Sequence, residues 1–149
     1  MAGATGLSEY VEWALVCQRV PHAVICLLSS LRYFQVGLQD PHKLWIALPA
    51  GYHAPVLSYP PLSIIRPVKN VHEEGVLVVT IEGLPMKIYS LEKTIADCFK
   101  YRNRIGIETA IQAQKEAWNK KLIDLNSLWK YAKINRVLIT MQPYLDILE

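Results

Sequence analysis

Apolar and polar residues divide the chain into three stretches of different texture. In the first, "LSEYVEWALVCQRVP" repeats Val11, Ala14, Leu15 and Gln18 at helical spacing until Pro21 interrupts. Ser8 reads as its N-cap, with Glu9 and Glu12 in the first turn, where carboxylates suit the helix dipole. "HAVICLLSSLRYFQVG" is apolar on nearly every side and stops at Gly37, which predicts a buried helix, although a short run of this kind also fits a strand.

The second stretch changes to strand-forming residues broken by prolines and glycines: "KLWIALPA", "PPLSIIRPV" and "GVLVVTIEGLPMKIYS". Gly83-Leu84 reads as the turn of a hairpin, with Pro85 at the turn or on a strand edge. Val76 and Val78 face one side of "VLVVTI", and Leu77, Val79 and Ile81 the other. Both faces are apolar, so the pattern predicts a strand covered on both sides.

From Ser90 onward the pattern is helical. The expected segments are Leu91 to Asn103, Ile107 to Lys120, Leu125 to Asn135 and Val137 to Leu148, with Gly106 and Asp124 marking breaks. On the first of these, Leu91, Thr94, Ile95, Cys98, Phe99 and Arg102 share one side, and Lys93, Asp97, Lys100 and Arg104 another. The expectation is one α+β domain: two N-terminal helices, a small and mostly antiparallel sheet, and a C-terminal helical bundle.

A chain of 149 residues with 52% hydrophobic and 19% charged content holds one sizeable core and is not a disordered tail. Cys17, Cys26 and Cys98 are odd in number and form no CxxC pair, which argues against a disulfide framework or a zinc knuckle. "AVICLL" is far shorter than the roughly 20 apolar residues of a membrane span. With no basic start and apolar run of a secretory signal in "MAGATGLSEY", the expected setting is reducing and cytoplasmic.

Charge is unevenly spread. Lys100 to Arg136 holds nine basic and three acidic residues, and the rest of the chain seven and ten. Cations interleave with Tyr101, Trp129 and Tyr131 there, and Lys130, Lys133 and Arg136 form a ridge at helical spacing. Lys93, Lys100, Arg102, Arg104, Lys130, Lys133 and Arg136 are therefore the candidate nucleic-acid-binding face. No helix-turn-helix or zinc-finger signature accompanies them.

Catalytic and metal-binding patterns are thin. Ser90 and Lys93 have the spacing of a serine–lysine pair, but an N-cap serine accounts for Ser90, and no further active-site motif follows. His22 and Cys26 are four apart without further ligands nearby; Glu73 and Glu74 are sequence neighbours that would point apart in a strand, and they read as a solvated turn. No glycine-rich phosphate loop is present. The expectation is a non-enzymatic protein that uses no cofactor and no metal.

Several segments, in order, resemble the C-terminal domain of AbiEi-family antitoxins of type IV abortive-infection toxin–antitoxin systems. They are "RVPHAVICLLSSLRYFQV", "HKLWIALPAG", "IEGLPMKIYSLEKTIADCFKYRNRIG", "LWKYAKINRV" and "MQPYLDIL", covering about Val16 to the end. By position, Arg19, Pro21, His22 and Arg32 match the first motif, and Lys93, Asp97, Lys100, Tyr101 and Arg102 the third. The resemblance implies an antitoxin domain that counters a nucleotidyltransferase-like toxin without a stable complex and whose basic residues assist DNA binding. The family's winged helix does not fit in the residues ahead of the matched region, so operator binding is not expected of this chain. The alternative expectation is a DNA-binding accessory module of a transcriptional regulator without its reader domain. No membrane partner is expected, and nothing in the pattern commits to an oligomeric state.

Overall fold

The computed structural model describes residues 2–37, 42–54 and 56–148, with side chains from Glu9 onward. The elements in chain order are α1 (Ala2–Arg19), β1 (Val24–Ile25), α2 (Leu27–Tyr33), β2 (Leu44–Ala47) and β3 (Leu62–Ile65). There follow α3 (Lys69–His72), β4 (Val76–Ile81), β5 (Leu84–Tyr89) and α4 (Leu91–Lys100). The chain ends with α5 (Arg102–Ile105), α6 (Ile107–Asn119), α7 (Leu125–Ile134) and α8 (Leu138–Asp146). The class is α+β.

Five strands form one sheet in the order β3-β2-β1-β5-β4. Strand alternation sends Ile25, Leu44, Ile46, Met86 and Ile88 to one face, where Trp13, Ala14, Val16, Cys17 and Val20 of α1 cover them. Val24, Ala47, Ile65 and Tyr89 go to the other face, into a core shared with α2, α4, α6, α7 and α8. The sheet is thus the middle of three layers.

Several expectations change. The sheet is mixed rather than mostly antiparallel: β1 pairs antiparallel with β2 but parallel with β5, and β2 pairs parallel with β3. The apolar run after His22 splits into β1 and α2, because Val24 and Ile25 pair with Ala47 and Ile46 before the helix begins. Helix α1 starts at Ala2, so Ser8 lies inside it and is not its cap.

The β4–β5 hairpin turns on Glu82-Gly83, both at positive φ, with Ile81 opposite Leu84. Pro85 stands opposite Thr80, beyond the single position where β1 reaches β5. Its carbonyl accepts a 2.8 Å hydrogen bond from Gln18 Nε2 instead. Strand β4 is one edge of the sheet, and the expected cover on both of its faces is incomplete: Leu77 and Val78, which alternate between the faces, are both exposed. The predicted first C-terminal helix breaks at Tyr101 into α4 and α5; the other three fall where expected to within one or two residues.

Candidate functional site

Ser90 starts α4, its hydroxyl accepting the amide of Lys93 at 3.2 Å. The Lys93 ammonium does not face that hydroxyl. It points one turn on, 2.7 Å from Asp97 Oδ1, and lies 4.1 Å from the centre of the Tyr89 ring. Lys93 is 1% exposed and Asp97 2%.

Every residue of α4 from Leu91 to Phe99 is buried except the half-buried Glu92. Lys93 and Asp97, on the polar side of this helix, therefore face protein, because α7 packs across them. Asn135, at the C-terminal cap of α7, donates from Nδ2 to the same Asp97 Oδ1 at 2.8 Å. Asp97 Oδ2 and Asn135 Oδ1 are buried with no hydrogen-bond partner among the described residues. Gly75, in the turn just before β4, approaches the same pair at φ +76°. A Cβ there would stand 2.7 Å from Lys93 Cβ and 3.3 Å from the Tyr131 ring.

Other motif residues join the same structure. The Tyr89 hydroxyl donates to the His72 carbonyl at 2.7 Å, and burial pushes the phenol far above its ordinary range. Ser30 Oγ and Thr94 Oγ1 lie 2.7 Å apart, and Ser29 Oγ accepts the Trp45 amide at 2.9 Å. Arg32 pairs with Glu9 at 2.7 Å, and the His22 ring packs on Tyr52 at 4.2 Å. Burial lifts the thiols of Cys26 and Cys98 well above the usual range and that of Cys17 to about 11, so all three are kept as neutral thiols.

The seven candidate cations separate into four settings. Lys93 is in the core and is corrected out of any surface face. Arg102 donates to the Phe99 carbonyl at 2.8 Å and Arg104 to the Ile64 carbonyl at 2.9 Å. Arg104 also reaches Ser63 Oγ and lies 5.0 Å from the Trp45 ring, so it ties α5 to β2 and β3. Lys130 and Lys133 are exposed on α7 with no ion pair among the described residues, Lys130 leaning over the Tyr131 ring at 5.3 Å. Lys100 and Arg136 line one open cleft of about 520 Å³, together with Val68, Asn70, Val71, Glu74 and Ile134.

In this cleft, partial burial lowers the Lys100 amine below its ordinary value. Lys93 and Arg136 push the same way, and Asp97 opposes them. The sequence pattern missed Asn135 and Asn70, and set Glu74 aside as half of a weak carboxylate pair. Asn135 sits seven residues after the buried Leu128, on the inward stripe of α7, and a polar residue at such a position was the available signal. Asn70 lies in the short helix α3, whose sequence carries no signal, and Glu74 in the turn that follows it. Among the described residues no group of His, Cys, Asp and Glu is arranged to hold a metal ion, and no helix is long and apolar enough to cross a membrane.

The chain matches no protein-family model, and no curated protein is significantly similar to it in sequence.

Proposed function

We propose that this chain is an antitoxin-like regulatory domain of the type IV abortive-infection kind. It acts non-enzymatically in the cytoplasm and counters a nucleotidyltransferase-like toxin without a stable complex. The observation carrying this reading is that the separate sequence segments resembling that family meet in one connected structure. Strand β1 from the first segment pairs with β2 from the second and β5 from the third; Thr94 meets Ser30, and Asp97 meets Asn135 of the fourth.

A non-enzymatic role is supported by where the one catalytic-looking pair points. Ser90 serves the helix amide and Lys93 serves Asp97, so no base faces the hydroxyl. The test is rescue of growth by this chain when the nucleotidyltransferase-like gene expected beside it is induced.

A second reading, a DNA-binding accessory module, is favoured by Lys130 and Lys133, which are exposed on one helix and unpaired. Cations in that state meet phosphate without first breaking an internal bond. DNA binding that weakens steeply with salt supports this reading, and binding indifferent to salt removes it.

A further inference from the structure

The cleft holding Lys100 and Arg136 is lined by groups of two kinds. Lys100 is half-buried and Arg136 exposed, and among the described residues neither makes an ion pair, although Glu74 lines the same cleft. Val68, Val71 and Ile134 supply apolar lining, with Val68 61% exposed. Asn70 and Glu74 add an amide and a carboxylate to it.

Arg136 reaches this position at a cost. It follows the C-cap Asn135 at φ 58°, the left-handed conformation that helix ends ordinarily give to glycine. The amide of Val137 bonds back to the Ala132 carbonyl at 2.9 Å and that of Arg136 to Lys133 at 3.0 Å, which fixes the turn. An arginine there carries backbone strain that a glycine would not, and among the described residues it makes no ion pair in return. Its charge instead adds to that of Lys100, crowding two cations that an anion would relieve.

We propose that this cleft binds a nucleoside phosphate: the phosphate on Lys100 and Arg136, the base and sugar against Val68, Val71 and Ile134. The arginine fork and the lysine point charge together suit a phosphate, which accepts several hydrogen bonds from one direction. The apolar wall gives a flat base a surface to cover, and Asn70 and Glu74 supply a donor and acceptors for base or ribose edges. A volume of about 520 Å³ falls within the usual range of small-molecule sites. A polynucleotide backbone fits less well, because it needs cations repeated along a groove, and this cleft is lined by two cations, one carboxylate and three apolar side chains. This assignment is independent of the antitoxin reading.

The experiment is calorimetric titration of the whole chain, at low salt, with each of the four ribonucleoside 5′-monophosphates. Adenosine, inorganic phosphate and a short oligothymidylate serve as comparison probes. Lys100→Ala and Arg136→Gly are the variants. Arg136→Gly removes the cation while suiting the positive φ, so its fold is retained or strengthened. At least one monophosphate is expected to bind more tightly than adenosine or inorganic phosphate, and to lose about tenfold or more in either variant. The assignment is overturned by no monophosphate binding, by binding unchanged in both variants, or by inorganic phosphate binding as tightly as the nucleotides. Oligothymidylate binding that depends on these cations while the monophosphates fail also overturns it, in favour of a polynucleotide. None of these outcomes bears on toxin rescue.

Discussion

The ammonium of Lys93 and the carboxylate of Asp97 form a 2.7 Å ion pair one helical turn apart, and both side chains are almost wholly buried. On an exposed helix such a pair contributes a few tenths of a kcal/mol. Here the two charges stabilise one another only as a pair, because either one alone would be an uncompensated charge in the core. The pair also takes the amide of Asn135, so α4 and α7 are fastened at the same atom.

Removing one partner should therefore cost far more than removing both. Asp97→Ala is expected to destabilise the fold by about 3–5 kcal/mol, whereas Lys93→Met with Asp97→Leu should recover much of that loss. Chemical denaturation of the three proteins checks this; a loss below about 1 kcal/mol for Asp97→Ala would contradict the burial of the pair.

Gly75 should tolerate no side chain. Its positive φ and the 2.7 Å approach to Lys93 Cβ leave an alanine both strained and clashing. Gly75→Ala is expected to lower stability by about 1–3 kcal/mol. Gly83→Ala, at a similar φ but with nothing within 4 Å, is expected to suffer the backbone strain alone and so lose less. Thermal unfolding of the two variants under one set of conditions tests the ranking.

His72 gives the fold a predictable pH response. Its Nε2 lies 2.9 Å from the His22 carbonyl oxygen and 3.3 Å from that of Ala47; both are acceptors, so the proton is assigned to that nitrogen. Burial lowers its pKa below the ordinary 6.5. The unfolded chain therefore takes up a proton before the folded chain does. Stability is undiminished above 6.5 and falls as the pH drops below 6.5 toward the lowered folded value. His72→Gln should be less stable at neutral pH but lose this part of the acid dependence. Unfolding midpoints measured from neutral to mildly acidic pH test it, and parallel curves for the two proteins would contradict it.

On the second reading, Lys130→Glu and Lys133→Glu should weaken DNA binding and make it less salt-sensitive. The log–log slope should fall by about one unit for each phosphate that is no longer neutralised. Neither change should move stability by more than about 0.5 kcal/mol, since both side chains are exposed. Arg104→Ala is the contrasting control. It gives up bonds to Ile64 and Ser63 and the stack on Trp45, and should cost about 1 kcal/mol of stability. A DNA-shift series with matched unfolding curves separates the two kinds of arginine and lysine.

The sequence made the helical C-terminal half legible because its periodicity is long and its caps are local: Ser90 and Asp124 each accept the amide three residues on. The sheet was harder to read, since its pairings depend on distant partners. Val24 and Ile25 form a strand only because Ala47 and Ile46 lie beside them, and no local pattern announces that. The edge position of β4 was likewise invisible: an apolar alternation on both faces looks the same in a covered strand and in an exposed edge.

The candidate face was legible as charge but not as place. Lys93, Arg104 and Lys130 are alike in the sequence, yet one is paired in the core, one anchors α5 and one is free for a partner. Which of them the fold consumes is decided by α7 closing over α4 and by the packing of α5 on β3.

The most direct test of the antitoxin reading is growth of cells in which the neighbouring nucleotidyltransferase-like gene is induced with and without this chain in trans. Asp97→Ala, expected to be poorly folded, serves as the control that expression alone does not rescue. The reading predicts that the intact chain restores growth and that Asp97→Ala restores less. Cells that stay poisoned while the intact chain is soluble and folded would contradict it.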